Sequence, residues 1–460
     1  MHNKALLAVF GSFMALTSPP RSMAQEIETQ AEGGRLEEIT VTARKREESA
    51  QDVPLALTAI SGDTLTDRHI VSVTELPQLA PNLSIHEAFA SPSVAVIYLR
   101  GFGTSTNDPS VQPPVSINID NVYQASLAGS VVDTFDLERV EVLRGPQNTL
   151  IGKNSPAGAI NFYTKRPTGE WGGDVQVDYG RFERREARAR LNFPIIDEVL
   201  AGRLSAYFDD GGSYIDNVSI PGREHGGKKG HTIRGGLLLT PSENIEWYLS
   251  SALVKRRDEI FGYRNVSTDV AYPPLVSPSI SCMVVGLCNA FPKRFTTGAG
   301  VEGQPKVDTN SVTSNFTWDV GAFNLTSNTG YKYLNQSGVE DVDATILPLF
   351  DAPKVQTIAR DFSQEVRLNS TENGFLTFAG KFDWLLGVYY IRQKYEGHRI
   401  FTVPGPTELR DFQDGKIESL AGFAHVIYNF TQDWNATFGI RRTKDDWTTR
   451  SFPRAFPRAR

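Results

Sequence analysis

Cysteine is almost absent from this sequence: two residues in 460, Cys282 and Cys288. That excludes a thiolate metal cluster and a dense disulfide scaffold. Long apolar runs are also missing. Beyond the stretch Ala5–Leu16, no segment approaches the ~20 apolar residues of a helical membrane span. The seven histidines form no His-x-x-x-His pair, and there is no Gly-x-Ser-x-Gly elbow. Positive charge is not in excess. With 47 Lys and Arg against 53 Asp and Glu, the formal net charge is −6, and no basic cluster is interleaved with aromatics, so nucleic acid is set aside as a partner. Two glycine-containing stretches fail as nucleotide loops. Gly101–Thr106 ends in Thr, and Gly145 and Gly152 are too far apart for a phosphate loop, with Asn154 where a metal-binding hydroxyl belongs. Asp209, Asp210 and Asp216 could hold calcium, but loop carboxylates are more often simply solvated. No catalytic site, cofactor or resident metal is expected, and the chain reads as a non-enzyme.

What is present begins with an address. Lys4, the apolar run and Ser22-Met23-Ala24 before Gln25 have the form of a secretory signal peptide over residues 1–24, with no following Cys for lipid attachment. An exported chain without a helical span can enter a membrane only as a closed barrel. In an oxidising compartment Cys282 and Cys288 read as a local disulfide, the alternative being two reduced thiols. Residues 25–48 form a polar segment expected to be disordered, carrying the β-prone run Glu38-Ile39-Thr40-Val41-Thr42-Ala43 and then the charged block Arg44–Glu48. Nothing nearby in the sequence offers that run a pairing strand.

Residues 49–168 have the composition of a compact α+β domain. Ser61 and Ser72 are placed to cap two helices, the second stopped by Pro77 and Pro81. Short strands are expected at Val94–Leu99, Val115–Ile119, Leu137–Leu143 and Ala159–Thr164. Residues 169–460 are dominated by alternation. Val175, Val177 and Tyr179 alternate with Asp174, Gln176 and Asp178, and the same period recurs through Trp247, Leu249, Leu253; Phe316, Trp318, Val320; and Trp384, Leu386, Val388. About a dozen such segments occur, each near the ~10 residues of a tilted membrane strand. Tight links at Thr240–Asn244, Gly321-Ala322 and Thr431–Asp433 separate some strands, whereas polar excursions near 256–310, 333–360 and 395–415 separate others. Short turns at one end and long loops at the other, with aromatics at the strand ends, are the anatomy of an outer-membrane barrel. A soluble β-sandwich is the competing reading.

The run 38–43, the strings Arg100-Gly101-Phe102-Gly103 and Asp120-Asn121-Val122-Tyr123, and above all FDLERVEVLRGPQNTLIGKNSPAGAINFYTKRP at 135–167 resemble the plug of a TonB-dependent outer-membrane receptor. The resemblance extends to the alternating segments, which are similar to the barrel strands of that family. Asn121 and Asn148 depart from the usual small turn residues, and both tolerate left-handed backbone.

The resemblance implies an α+β plug followed by part of an antiparallel transmembrane β-barrel of about 22 strands, roughly half of which the available length can supply. It implies residence in the bacterial outer membrane, surrounded by lipid, with TonB and its inner-membrane energising complex as partners. The cargo is a scarce bulky solute, a small-molecule chelate such as a ferric siderophore. Residues 38–43 are similar to the TonB box, whose extended character suits addition to a sheet edge of TonB. Arg100, Gly101, Asp120, Arg139, Glu141, Arg144, Gly145, Pro146 and Gly158 carry the plug motif. By the same resemblance Arg139, Glu141 and Arg144 pair with barrel-wall charges, the alternative being salt bridges inside the plug. Gly101, Gly145 and Gly158 are expected at turns where a side chain would clash. Phe89–Ser93 and Phe102–Ser110 are candidate ligand-facing loops. The end of the sequence, with Pro453 and Pro457 among arginines, does not read as a closing strand, so a fragment or a truncated, non-transporting remnant is the alternative to a working receptor. The interval 25–37 is too short for a signalling domain, and the transported substrate is not legible.

Overall fold

The structure, a computed structural model, describes residues 39–88, 91–104, 110–126, 134–217, 220, 222–260, 296–297, 303–341, 351–372, 374–378, 380–402, 407–431 and 434–457. The proposed signal peptide, Glu38 and both cysteines lie outside the described residues.

The first half is built on a five-stranded sheet in the order Ala56–Ser61, Leu137–Arg144, Gly158–Thr164, Val115–Ile119, Val122–Tyr123. Gly158–Thr164 runs parallel to Val115–Ile119 and antiparallel to Leu137–Arg144. The expected alternation is realised with a shared interior, since Val140, Val142, Ile160 and Phe162 are all buried. Ser61 caps the helix Gly62–Asp67, and Ser72 with Glu75 forms a capping box on a short 3-10 helix, Val73–Gln78, which accommodates Pro77 rather than ending before it. A second, three-stranded sheet joins Leu83–Ala88, Ser91–Leu99 and Phe102–Gly103.

From Gly172 the chain winds into one antiparallel sheet that holds twelve strands among the described residues, from Gly172–Tyr179 at one edge to Asn435–Ser451 at the other. Its two faces invert the usual order. The face turned toward the first domain buries Arg203, Ser205, Ser250, Asn315, Asn328, Glu365 and Arg367, while the outward face exposes Leu204, Leu237, Leu249, Val312, Val366, Leu386, Val388 and Phe438. Polar inside and apolar outside is stable only where the outer surroundings are hydrocarbon.

Two expectations about the strands need correction. The polar stretches near 333–360 and 395–415 are mostly strand: Phe323–Asp341, Asp351–Ser370, Phe382–Thr402 and Thr407–Asn429 run through them. Individual strands reach 23 residues rather than ten. Apolar alternation stops where the outward face leaves lipid, but the backbone ladder continues because each strand still has neighbours to pair with. Short turns remain at one end, such as Ser242 to Ile245 and Asp319 to Phe323.

Candidate functional site

The run expected to be unpaired and disordered is ordered from Ile39 onward. Thr40–Val41 pairs antiparallel with Glu48–Ser49, and the chain reverses where Lys45 N–H donates to Thr42 O at 2.9 Å. The alternation of Ile39, Val41 and Ala43 that suggested a lone extended strand serves packing. Val41 is fully buried and Ala43 nearly so, in a small core with Val53, Leu143 and Ala159.

Arg139 and Glu141 reach this segment, not the barrel wall. Glu141, with no exposed surface, accepts the Thr42 backbone N–H at 2.9 Å and the Arg139 Nε at 3.0 Å. Arg139 lies over the Tyr163 ring and donates to Thr42 Oγ1, which itself donates to the Tyr163 hydroxyl at 2.6 Å. Burial pushes the Tyr163 hydroxyl upward, so it stays protonated. Strand alternation explains the arrangement: Arg139 and Glu141 share one face of Leu137–Arg144, and the segment lies across that face.

The other side of the segment is fastened to the barrel. Lys45 Nζ meets Glu365 Oε1 at 3.4 Å, with both side chains under 10% exposed. Asn369 Nδ2 donates to Lys45 O at 2.9 Å, and Arg46 pairs with Asp383 at 3.5 Å. Burial lowers the Lys45 pKa, and Glu365 opposes that shift. Residues 39–46 therefore bridge plug and wall beside a polar chamber of about 610 Å³, lined among others by Asp120, Arg139, Asn315, Asn328 and Arg367.

Apart from the Asp120 carbonyl, direct plug-to-wall contacts use residues that the sequence did not single out as wall partners. Asp136 accepts from Arg203 Nε at 2.9 Å, and both side chains are buried. Lys153 Nζ donates to Ser419 at 2.7 Å and meets Asp445 at 3.3 Å. Lys332 Nζ donates to Ser126 O at 3.2 Å, and Lys228 pairs with Glu87 close to the candidate loop 89–93. No local signal in the sequence pairs an Asp in one domain with an Arg 67 positions later, because the contact depends on how the domains nest.

The remaining motif residues are placed as follows. Asp120 takes φ 46° and accepts the Thr164 N–H and hydroxyl, both at 2.8 Å; its carbonyl accepts from the wall residue Asn315, and burial raises its carboxyl pKa. Among the described residues, Arg144 reaches plug carbonyls, at Ala56, Leu57 and Pro81. Arg100 and Pro146 are exposed. Gly158 is the position where a side chain would clash: its φ is 145°, and a Cβ would overlap the Leu143 carbonyl oxygen. At Gly101 the space is open, so the need is for a positive φ alone. Of the ligand-facing candidates, 89–90 and 105–109 lie outside the described residues.

With this geometry in hand, likeness to known proteins is informative. The family model described as the TonB-dependent Receptor Plug Domain matches residues 49–159. The pesticin receptor of Yersinia pestis is 30% identical over 176 residues, 38% of this chain and 26% of the relative. The ferrioxamine B receptor of Salmonella typhimurium is 29% identical over 174 residues, 38% of this chain and 24% of the relative. Among solved structures, the ferric yersiniabactin uptake receptor from Yersinia pestis superposes with a TM-score of 0.69 at 17% identity, covering 87% of this chain and 61% of that one. The ferripyoverdine receptor of the Pseudomonas aeruginosa outer membrane gives 0.67 at 16%, covering 91% and 55%. The matched stretch spans about a quarter of these curated relatives. All of them are receptors, not enzymes.

Proposed function

We propose that the chain, whose residues 49–159 match the TonB-dependent receptor plug domain, is a TonB-dependent outer-membrane receptor that serves active import of a ferric siderophore, powered by TonB pulling on the segment that begins at Ile39. The observation that carries this reading is the double fastening of residues 39–46, to the plug through Glu141 and to the wall through Lys45 and Glu365. A tether joined to both parts is where a pull from the periplasm would separate them. The outer membrane has no nucleotide source, so the work has to arrive mechanically.

TonB recognition proceeds by strand addition, main chain to main chain. Val41 is buried and its strand is already paired, so the segment must come away from Glu141 and Glu365 before a second sheet can take it. Lipid surrounds the apolar outer face, and the cargo is an iron chelate held by plug and long-loop residues. The names of the relatives support that class: the ferrioxamine B receptor among sequences, and the ferric yersiniabactin and ferripyoverdine receptors among structures.

The test is uptake of radiolabelled ferric siderophores by cells that depend on this gene for iron, in the presence and absence of TonB. Val41→Pro removes a backbone donor and should abolish uptake while surface binding of the same chelate persists. Uptake unaffected by either the TonB deletion or Val41→Pro would overturn the proposal.

A further inference from the structure

We propose that the imported solute leaves along one flank of the plug, in a polar furrow on the wall strands Lys306–Asp319, Phe323–Asp341 and Asp351–Ser370, and that the hairpin Asp120–Tyr123 seated at Gly330 is its gate. The inference rests on the reading of the chain as a TonB-driven importer and adds where the passage opens.

The furrow follows from the register of three neighbouring strands. Counted from the short-turn end, their lumen-facing rows bring Asn324 beside Asn369, Asn315 beside Asn328, and Thr313 beside Gly330 and Ser363. Each of these is polar or small. Above them Lys332 stands opposite Asp361, and then Leu334 opposite Ala359, both buried and apolar, so the furrow ends at an apolar step. The chamber of about 610 Å³ occupies its lower part. A cavity of about 30 Å³ lined by Thr313, Gly330, Lys332, Asp361 and Ser363 continues it upward on the same three strands.

The chamber is suited to polar matter. Asn315 Oδ1, Asn324 Oδ1, Asn369 Oδ1, Asn328 Nδ2 and Arg367 Nε are buried without a hydrogen-bond partner among the described residues. Buried polar atoms are hydrogen-bonded as a rule, so water or a passing polar solute supplies those bonds. The volume falls within the ~300–1,000 Å³ of sites for drug-sized ligands. Thr42, Lys45 and Arg46 form one side of it, so a pull on their segment uncovers the chamber.

One side chain separates the two spaces. Val122 fills the notch at Gly330, where a built Cβ would come within 2.2 Å of Val122 Cγ1. The strand carrying Val122 is an edge of the five-stranded sheet and is joined to it by two residue pairs, Asn118 with Tyr123 and Ile119 with Val122. Its two-residue turn takes positive φ at Asp120, 46°, and Asn121, 66°, as a tight hairpin does. The wall holds it through Asn315 Nδ2 to Asp120 O at 2.9 Å and Lys332 Nζ to Ser126 O at 3.2 Å. Swinging Val122 and Tyr123 about Asp120, which stays bonded to Thr164, breaks few bonds and leaves the other four strands paired. The other flanks are pinned by charge, at Asp136 with Arg203 and at Lys153 with Asp445. A space of about 710 Å³ beside Lys153 is the competing route, and no tether residue lines it.

The experiment uses the full chain in cells, carrying Cys282→Ser and Cys288→Ser, with two engineered disulfides. A Cβ built on Gly330 lies 3.2 Å from Val122 Cβ, and one built on Gly439 lies 3.6 Å from Thr149 Cβ. Disulfides span about 3.5–4.5 Å between Cβ atoms, so both pairs close with small shifts. Oxidised Val122→Cys with Gly330→Cys should lower TonB-dependent uptake of ferric siderophore about tenfold or more, and reduction should restore it. Oxidised Thr149→Cys with Gly439→Cys, on the Lys153 flank, should leave uptake within about twofold of the parent. A second readout needs neither disulfide nor a known solute: labelling of Asn328→Cys by a membrane-impermeant maleimide added outside the cell should be about tenfold faster with TonB than without. Labelling that ignores TonB, a Val122 to Gly330 lock that leaves uptake intact, or both locks stopping it, as departure of the whole plug requires, would overturn the proposal. TonB-dependent labelling in cells that take up no ferric siderophore would retain the gate and refute the assigned cargo instead.

Discussion

Removing Arg203 should loosen the plug from the wall more than any other single change on the lumen face. Its Nε donates to Asp136 at 2.9 Å, Asp136 is 2% exposed and Arg203 is 8% exposed. At that separation two unit charges attract by about 6 kcal/mol for an effective dielectric near 20, and desolvation of both groups takes back a large part. In Arg203→Met the Asp136 carboxylate keeps its desolvation cost and loses its partner. Asp136 also lies in a strained left-handed conformation, φ 70°, with its carbonyl held by Lys165 N–H, so it cannot easily turn toward water. The expected cost is about 3–5 kcal/mol. Removing both charges, as in Arg203→Met with Asp136→Asn, should recover at least half of it. The assay is a double-mutant cycle on the denaturant midpoint of the detergent-solubilised chain, with protease access to the plug as a second readout. A coupling energy near zero, or Arg203→Met costing less than about 0.5 kcal/mol, would refute the assignment of this pair as a plug-to-wall fastening.

Glu365→Gln leaves Lys45 buried without its counter-charge, and trypsin cleavage within Arg44–Arg46 should accelerate about tenfold or more, as a loss of at least ~1.4 kcal/mol requires. Gly158→Ala forces a side chain against the Leu143 carbonyl at a φ of 145° and should cost about 3 kcal/mol, visible as a lower unfolding midpoint. Asp120 has a raised pKa from burial, so the native state binds its proton more readily than the unfolded chain. Its contribution to stability is then fully present below the ordinary carboxylate value and lost as pH rises through the raised folded value. Midpoints measured from pH 4 to 7 should therefore fall less steeply with rising pH in Asp120→Asn than in the parent, and parallel profiles would contradict the burial argument.

The plug was legible because its signals are local. Ser61 and Ser72 announce caps, and Arg139 to Leu143 alternate as a strand does, so the helices and central strands fall where periodicity puts them, although Glu141 and Leu143 show that the second face of that strand is buried as well. The membrane strands were legible through Trp247, Leu249 and Leu253 only as far as lipid imposes alternation. Above that level Lys354, Arg399 and Asp411 look like loop residues, yet they continue the ladder. Residues 39–48 misled for a different reason. A short β-prone run flanked by charges reads as an exposed tether, but Arg44 to Glu48 turn back on it, and its partners Glu141 and Glu365 lie about 100 and 320 positions away. No window of sequence contains them.

Strand length rises across the sheet, though unevenly and with 17 residues at the edge strand Asn435–Ser451, from 12 residues at Arg185–Ile196 and Leu200–Gly211 to 23 at Thr407–Asn429. With ~2.4 Å of height per tilted residue, the former span about 29 Å and the latter about 55 Å, against an apolar band of ~25 Å. The ladder at Thr407–Asn429 therefore stands roughly 30 Å clear of the lipid, a tall side of continuous paired strand. A bulky visitor approaching along the membrane from the tall side is turned away by hydrogen-bonded backbone, which does not yield as a loop would.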